Sequence, residues 1–201
     1  CVYILMSTDN PFITERIAAA MQNLGGLPMA LPNAIIDAGV HIAGQLAKEN
    51  KVIAVGIDSF APLAQMFCNN LMYRDAELRP ALPALSLNSD ASGVAMAAAH
   101  ENADALYTRP LKSMGKSGDV LLLLSQDLNS AVVATTLATA KANEMTVIII
   151  GPHTEQLTIE NDSQTLSLLL EEAELTRMHE ISLFILNCLN DIIDQELFGA
   201  H

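Results

Sequence analysis

Five aliphatic residues in a row, Val120-Leu121-Leu122-Leu123-Leu124, stand between a Gly118-Asp119 turn and the hydroxyl-rich segment Ser125 to Ser130. The run is far too short to cross a membrane. It shows no polar alternation, so a strand made of it needs cover on both faces, as in a parallel sheet wrapped by helices. The following segment sits where a strand hands over to an Ala-rich helix, a place where backbone N–H groups converge on any anion. From residue 51 onward the same arrangement repeats. Strands are predicted at 52–55, 84–87, 120–124, 146–150 and 166–169, and helices near 60–73, 90–101, 104–114, 130–143 and 173–197. This alternation predicts an α/β fold, a doubly wound, mainly parallel five-stranded sheet with helices on both faces. In such sheets the ligand crevice lies beyond the carboxyl ends of the strands. The loops that qualify are 56–60, 88–93, 125–130 and 151–153.

Two helical patterns come first. Asn10-Pro11 reads as an N-cap followed by proline in the first turn, after which Ile13, Ile17, Met21 and Leu24 recur at helical spacing. A second helix is expected over about 32–50, with Ile35, Ile36, Val40, Ala43 and Leu46 as its stripe. Their apolar faces pack either on the chain's own core or on the same helices of another subunit. Residues 1–50 are thus expected to form an N-terminal helical segment used in oligomerisation and 51–201 the sheet domain. The 201 residues suit one compact unit.

The formal charge of −13 argues against direct binding of DNA, RNA or an anionic membrane, because phosphate contact needs a cationic face. No apolar run has the length of a membrane helix, and the opening Cys1-Val2-Tyr3-Ile4-Leu5-Met6 lacks the basic region of a secretory signal. Cys1, Cys68 and Cys188 have no metal-type spacing, and the latter two lie in helical patterns, where a free thiol acts as a small apolar group. A reduced, cytoplasmic chain is expected. His41, His100, His153 and His201 are scattered, so neither a metal nor a cofactor is expected. Glu171, Glu172 and Glu174 read as favourable charge at the start of the last helix.

Residues 30 to 198 resemble the sugar isomerase (SIS) domain family. The likeness is carried by Lys51-Val52-Ile53, by Arg79-Pro80 with Leu82-Pro83-Ala84, and by Gly118-Asp119-Val120. Two branches stand out, the phosphoheptose isomerases and the DnaA initiator-associating proteins. The run Asn187-Cys188-Leu189-Asn190-Asp191-Ile192-Ile193-Asp194, followed by Leu197-Phe198, is similar to the second branch.

The resemblance also shows what is missing. The family's first phosphate loop, Gly-Asn-Gly-x-Ser, falls on Gly56-Ile57-Asp58-Ser59-Phe60. One glycine survives, Phe60 takes the serine position, and Ser59 is one place off. A plain strand-to-helix turn capped by Asp58 or Ser59 is the simpler reading. The second loop, Ser-Thr-Ser-Gly-Asn-Ser, falls on Ser125 to Ser130. Ser125, Asn129 and Ser130 match, while Asp127 replaces a hydroxyl and Leu128 a glycine. A carboxylate there repels a phosphate dianion by about 1 kcal/mol or more per unit charge even in water.

Isomerisation through an enediol needs a base and an acid. The family's glutamate and histidine fall on Asn70 and Asn187, which have no usable pKa. A further family histidine becomes Met66, and a glutamine becomes His179, the one candidate base left. The remnant of phosphosugar binding is therefore Ser59, Ser125, Asn129 and Ser130. The resemblance implies a non-catalytic protein, a homotetramer or homodimer, that binds several molecules of the replication initiator DnaA and promotes their assembly at the origin. Leu197 and Phe198 would contact DnaA, unless they merely pack back on the subunit. The alternatives are a sedoheptulose 7-phosphate isomerase or a phosphosugar-binding sensor.

Overall fold

The computed structural model describes residues 11–74, 79–99, 105–154, 163–171 and 174–199. The expectations placed on Cys1, Asn10, His100, Glu172 and His201 lie outside the described residues. In chain order the elements are α1 (Pro11–Gly25), α2 (Leu31–Leu46), β1 (Val52–Gly56), α3 (Ala61–Tyr73), β2 (Ala84–Ser86), α4 (Ala91–Ala99), α5 (Ala105–Met114), β3 (Val120–Leu124), α6 (Ala131–Ala142), β4 (Thr146–Pro152), β5 (Thr165–Leu170) and α7 (Leu175–Phe198). Short 3-10 turns, Asp58–Phe60 and Leu87–Ser89, follow β1 and β2.

The five strands form one sheet in the order β2-β1-β3-β4-β5, every neighbour parallel. This is the expected doubly wound sheet, and its winding reverses between β1 and β3. All five residues of β1 and of β3 are buried, because both faces are covered. Val52, Ala54, Val120, Leu122, Leu124, Ile148 and Ile150 point into a core shared with α2, α3 and α7. Ile53, Val55, Leu121, Leu123, Val147 and Ile149 point into a second core under α5 and α6. The α2 helix contributes Leu31, Ile35, Ala38, Ile42 and Leu46 to the first core. By contrast α1 buries none of its residues.

The α2 helix ends at Leu46, short of the expected limit near Asn50. The Asn50 N–H bonds to the Gln45 carbonyl and the Glu49 N–H to that of Leu46, with Glu49 at φ 63°. That pairing is a Schellman termination, with glutamate in the left-handed position usually held by glycine. At the opposite end of the sheet from the crevice, Gly118 (φ 87°) and Asp119 join β3 to β1. The Asp119 carboxylate is fully buried and accepts the backbone N–H groups of Lys51 and Lys116, each at 3.0 Å, together with the Lys51 ammonium. The Gly-Asp-Val signature is therefore a clamp between strand entries.

The candidate crevice and the chain's relatives

Parallel register sets Gly56, the last residue of β1, beside Leu124, the last of β3, so the two candidate loops leave the sheet as neighbours. The first loop folds down over its own strand. A Cβ on Gly56 would lie 2.2 Å from the Phe60 carbonyl oxygen, so the surviving glycine serves the tight 58–60 turn. Asp58 carries φ 52° there. No side chain caps this turn or the start of α3, contrary to the expected Asp58 or Ser59 cap. The turn closes through its backbone, with the Phe60 N–H donating to the Ile57 carbonyl at 3.1 Å. Phe60 occupies the family's serine position with its ring wholly buried in the core beneath α3 and α7.

Asn88, the first residue of the 88–93 loop, completes this closure. The Asn88 side-chain amide accepts from the Gly56 N–H and donates to the Gly56 carbonyl, both at 2.8 Å. It donates also to the Tyr107 hydroxyl at 3.2 Å. Burial pushes the Tyr107 phenol above its ordinary range; the Asn88 bond opposes that rise and the Asp58 charge adds to it. Nothing in the local pattern around Asn88 announces the role, which depends on β2 lying beside β1.

The second loop is satisfied internally. The Ser125 hydroxyl is buried; it donates to the Asp127 carbonyl at 3.0 Å and accepts the Asp127 N–H at 3.1 Å. The Asp127 carboxylate accepts the Asn129 N–H at 3.0 Å. The Ser130 hydroxyl caps α6 by accepting the Val133 N–H at 3.4 Å. Leu128 is buried against Gly151, where an added Cβ would meet the leucine at 2.9 Å. The Ser125 and Ser130 hydroxyls and the Asp127 and Asn129 N–H groups are thus committed to the chain, and a carboxylate already stands among them.

Of the remaining candidates, the fold brings Ser59 and His179 together. The serine oxygen lies 2.9 Å from the His179 Nε2, and the Phe60 ring meets the imidazole edge-on at 4.6 Å. Beside them Arg177, mostly buried, pairs with Glu174 and Glu180, and Glu180 reaches Arg16 of α1 at 3.2 Å. Glu174 stands at the N-cap of α7 without capping it. Asn70 is half-buried on α3, and Asn187 is exposed on α7. Neither side chain makes a hydrogen bond among the described residues; the Asn70 backbone carbonyl accepts from Arg79 at 2.8 Å. The Cys68 thiol is pushed up to about 12 by burial, against a backbone hydrogen bond from Ala54, and is no nucleophile. Among the described residues no cluster of His, Cys, Asp or Glu suits a metal ion, and no helix is long and apolar enough to cross a membrane.

Leu197 and Phe198 are half-buried and pack against the core beneath α3 and α7. The Arg79 guanidinium lies 5.9 Å from the centre of the Phe198 ring and pairs with Asp194 at 2.8 Å, while donating to the carbonyls of Asn70, Leu71 and Pro80. The neighbouring Arg74 pairs with Asp191 at 2.6 Å. Arg74 at the end of α3 and Arg79, five residues on, thus hold down the last turns of α7.

A parallel sheet of order 2-1-3-4-5, with two loops over its switch point, defines a doubly wound α/β protein of the flavodoxin-like strand order. The chain belongs to the SIS domain family, whose model matches residues 18–151. It is 32% identical over 170 residues to the DnaA initiator-associating protein DiaA of Photorhabdus laumondii, covering 84% of this chain and 87% of that one. It is 30% identical over 167 residues to the phosphoheptose isomerase of Halorhodospira halophila, covering 83% and 84%. In fold it matches the phosphoheptose isomerase structure from Francisella tularensis with a TM-score of 0.81 at 24% identity, covering 92% of this chain and 96% of that one.

Proposed function

We propose that the chain is a non-catalytic SIS protein that gathers a DnaA-type replication initiator through several copies of one weak site. The observation that carries this reading is a pair of loops satisfied from within: the Asn88 amide holds both polar groups of Gly56, the Asp127 carboxylate takes the Asn129 N–H, and Leu128 packs on Gly151. The proton-transfer positions hold Asn70 and Asn187. Likeness to the DnaA initiator-associating proteins supports the choice of partner. Self-association through α1 and α2, as a homodimer or homotetramer, supplies the copies, and avidity follows from their number. The exposed parts of Leu197 and Phe198 are the proposed contact.

Immobilised DnaA tests this directly. Wild type should be retained, and Leu197→Ala and Phe198→Ala should each bind about tenfold or more weakly, as for an interface anchor. Circular dichroism on each variant separates lost contact from lost folding. Absence of any retained wild type rejects the partner.

The Ser59–His179 pair favours a second reading, a phosphosugar isomerase or a sensor with a relocated base. Turnover of sedoheptulose 7-phosphate that disappears in His179→Ala would establish the enzyme. Saturable binding of it without turnover would establish the sensor.

A further inference from the structure

Beside the 88–93 loop, α4 and α5 flank an open cleft of about 400 Å³, lined by Gly93, Met96, Ala97, Leu106, Arg109 and Pro110. That size suits a small organic ligand. A second cavity of about 250 Å³ adjoins it through Gly93, Leu106 and Pro110 and reaches Ser86 and Asp90 at the end of β2. The walls are largely aliphatic. Although α4 is nearly all apolar, it buries none of its residues, and Met96 is 65% exposed.

Among the described residues the ionisable groups lining this cleft are Arg109 and Asp90. Arg16, Arg74, Arg79 and Arg177 each form ion pairs. Arg109, exposed at the rim, has no ion-pair or hydrogen-bond partner among the described residues, in a chain of net charge −13. Pro110 lies inside α5 and carries no N–H, so the Leu106 carbonyl lacks its ordinary donor one turn on, and both residues line the cleft. An apolar slot with an unspent guanidinium at its rim matches a monoanion with an apolar body, since a planar fork takes a carboxylate in two parallel hydrogen bonds. A phosphate dianion fits worse: its second charge would stay uncompensated in an apolar cleft, near the Asp90 carboxylate.

We propose that the α4–α5 cleft binds a small carboxylate with an apolar tail, Arg109 holding the carboxylate while Met96, Ala97 and Leu106 cover the tail. The site is independent of the DnaA reading. Isothermal titration of the full chain with sodium octanoate, octan-1-ol and octylamine tests it. Octanoate should bind saturably at one per chain, and octanol and octylamine about tenfold or more weakly, the factor expected for a charge-assisted pair. Arg109→Gln, a surface change, should weaken octanoate about tenfold and leave octanol unchanged. Ala97→Phe, which fills the slot, should abolish both; if that variant fails to fold, Arg109→Gln and the octanol comparison carry the test. No saturable octanoate binding, or equal affinity in Arg109→Gln, would overturn the site.

Discussion

Asp119 shows how a family signature divides into chemistry and scaffolding. Its carboxylate lies at the sheet end remote from the crevice, with two backbone N–H groups and the Lys51 ammonium as partners. Asp119→Ala strips those donors of their acceptor and leaves the ammonium facing a void. It should cost about 3–5 kcal/mol in urea unfolding, as for breaking a buried pair. A cost below about 1 kcal/mol, the range of an exposed pair, would show that the clamp is dispensable. His41 on α2 adds a pH dependence. Its Nε2 is buried without a partner among the described residues, and burial, helped by the Lys48 charge, lowers its pKa below the ordinary 6.5. The unfolded chain then binds the proton more readily, so this contribution is whole above pH 6.5 and falls away as pH drops through that value. Melting temperatures of wild type and His41→Gln, measured from about pH 7.5 to about pH 5, should diverge as the wild type loses stability faster. Parallel curves would refute the assignment. At this scale the sequence identified the substituted positions but not their contacts. That Phe60 would enter the core was out of reach, as was the meeting of Ser59 with His179, because both depend on how α7 crosses α3.

Among the elements, strands were the most readable, because β1 and β3 are apolar at every position and only a sheet covered on both faces accommodates that. Helix ends were harder. Glu49 and Glu144 both take the left-handed position of a Schellman termination, at φ 63° and 56°, and no propensity marks glutamate for it. After α6 the Met145 N–H bonds to the Ala140 carbonyl and the Glu144 N–H to that of Lys141, the same pairing as after α2. Each glutamate bears a Cβ where glycine has none, so Glu144→Gly should stabilise the fold by about 1 kcal/mol despite its entropic cost in the unfolded chain. Chemical denaturation of the single variant measures it, and a destabilised Glu144→Gly would mean that this side chain makes a compensating contact. A different exit ends α7, where Gly199 at φ 86° and ψ 169° takes a backbone conformation open essentially to glycine alone, just beyond the turns gripped by Arg74 and Arg79.

For the whole molecule the decisive feature is a 15-residue helix that buries nothing. Phe12 is 66% exposed, Ile17 56% and Met21 70%, and an exposed Arg16–Glu180 pair links α1 to α7. A helix that short is marginal in water without packing, and an exposed ion pair contributes at most about 1 kcal/mol. Beside it runs an apolar groove between α2 and α7, lined by Leu27, Leu31, Ile35, Ile36, Phe184 and Ile192. A second copy seated on these surfaces would cover both at once, whereas a free monomer leaves a contiguous apolar patch in water. Multi-angle light scattering should therefore find the wild type at two or four times the 21.5 kDa chain mass. Ile17→Glu with Met21→Glu places charge in the middle of the stripe and should return the monomer mass, with α1 frayed in hydrogen exchange and the sheet still protected. The same variant separates assembly from recognition, since losing the extra copies should reduce retention on immobilised DnaA by about a hundredfold while leaving the single-site affinity of Leu197 and Phe198 unchanged. A wild type that runs as a monomer would sink the multivalent reading even if DnaA binding were found.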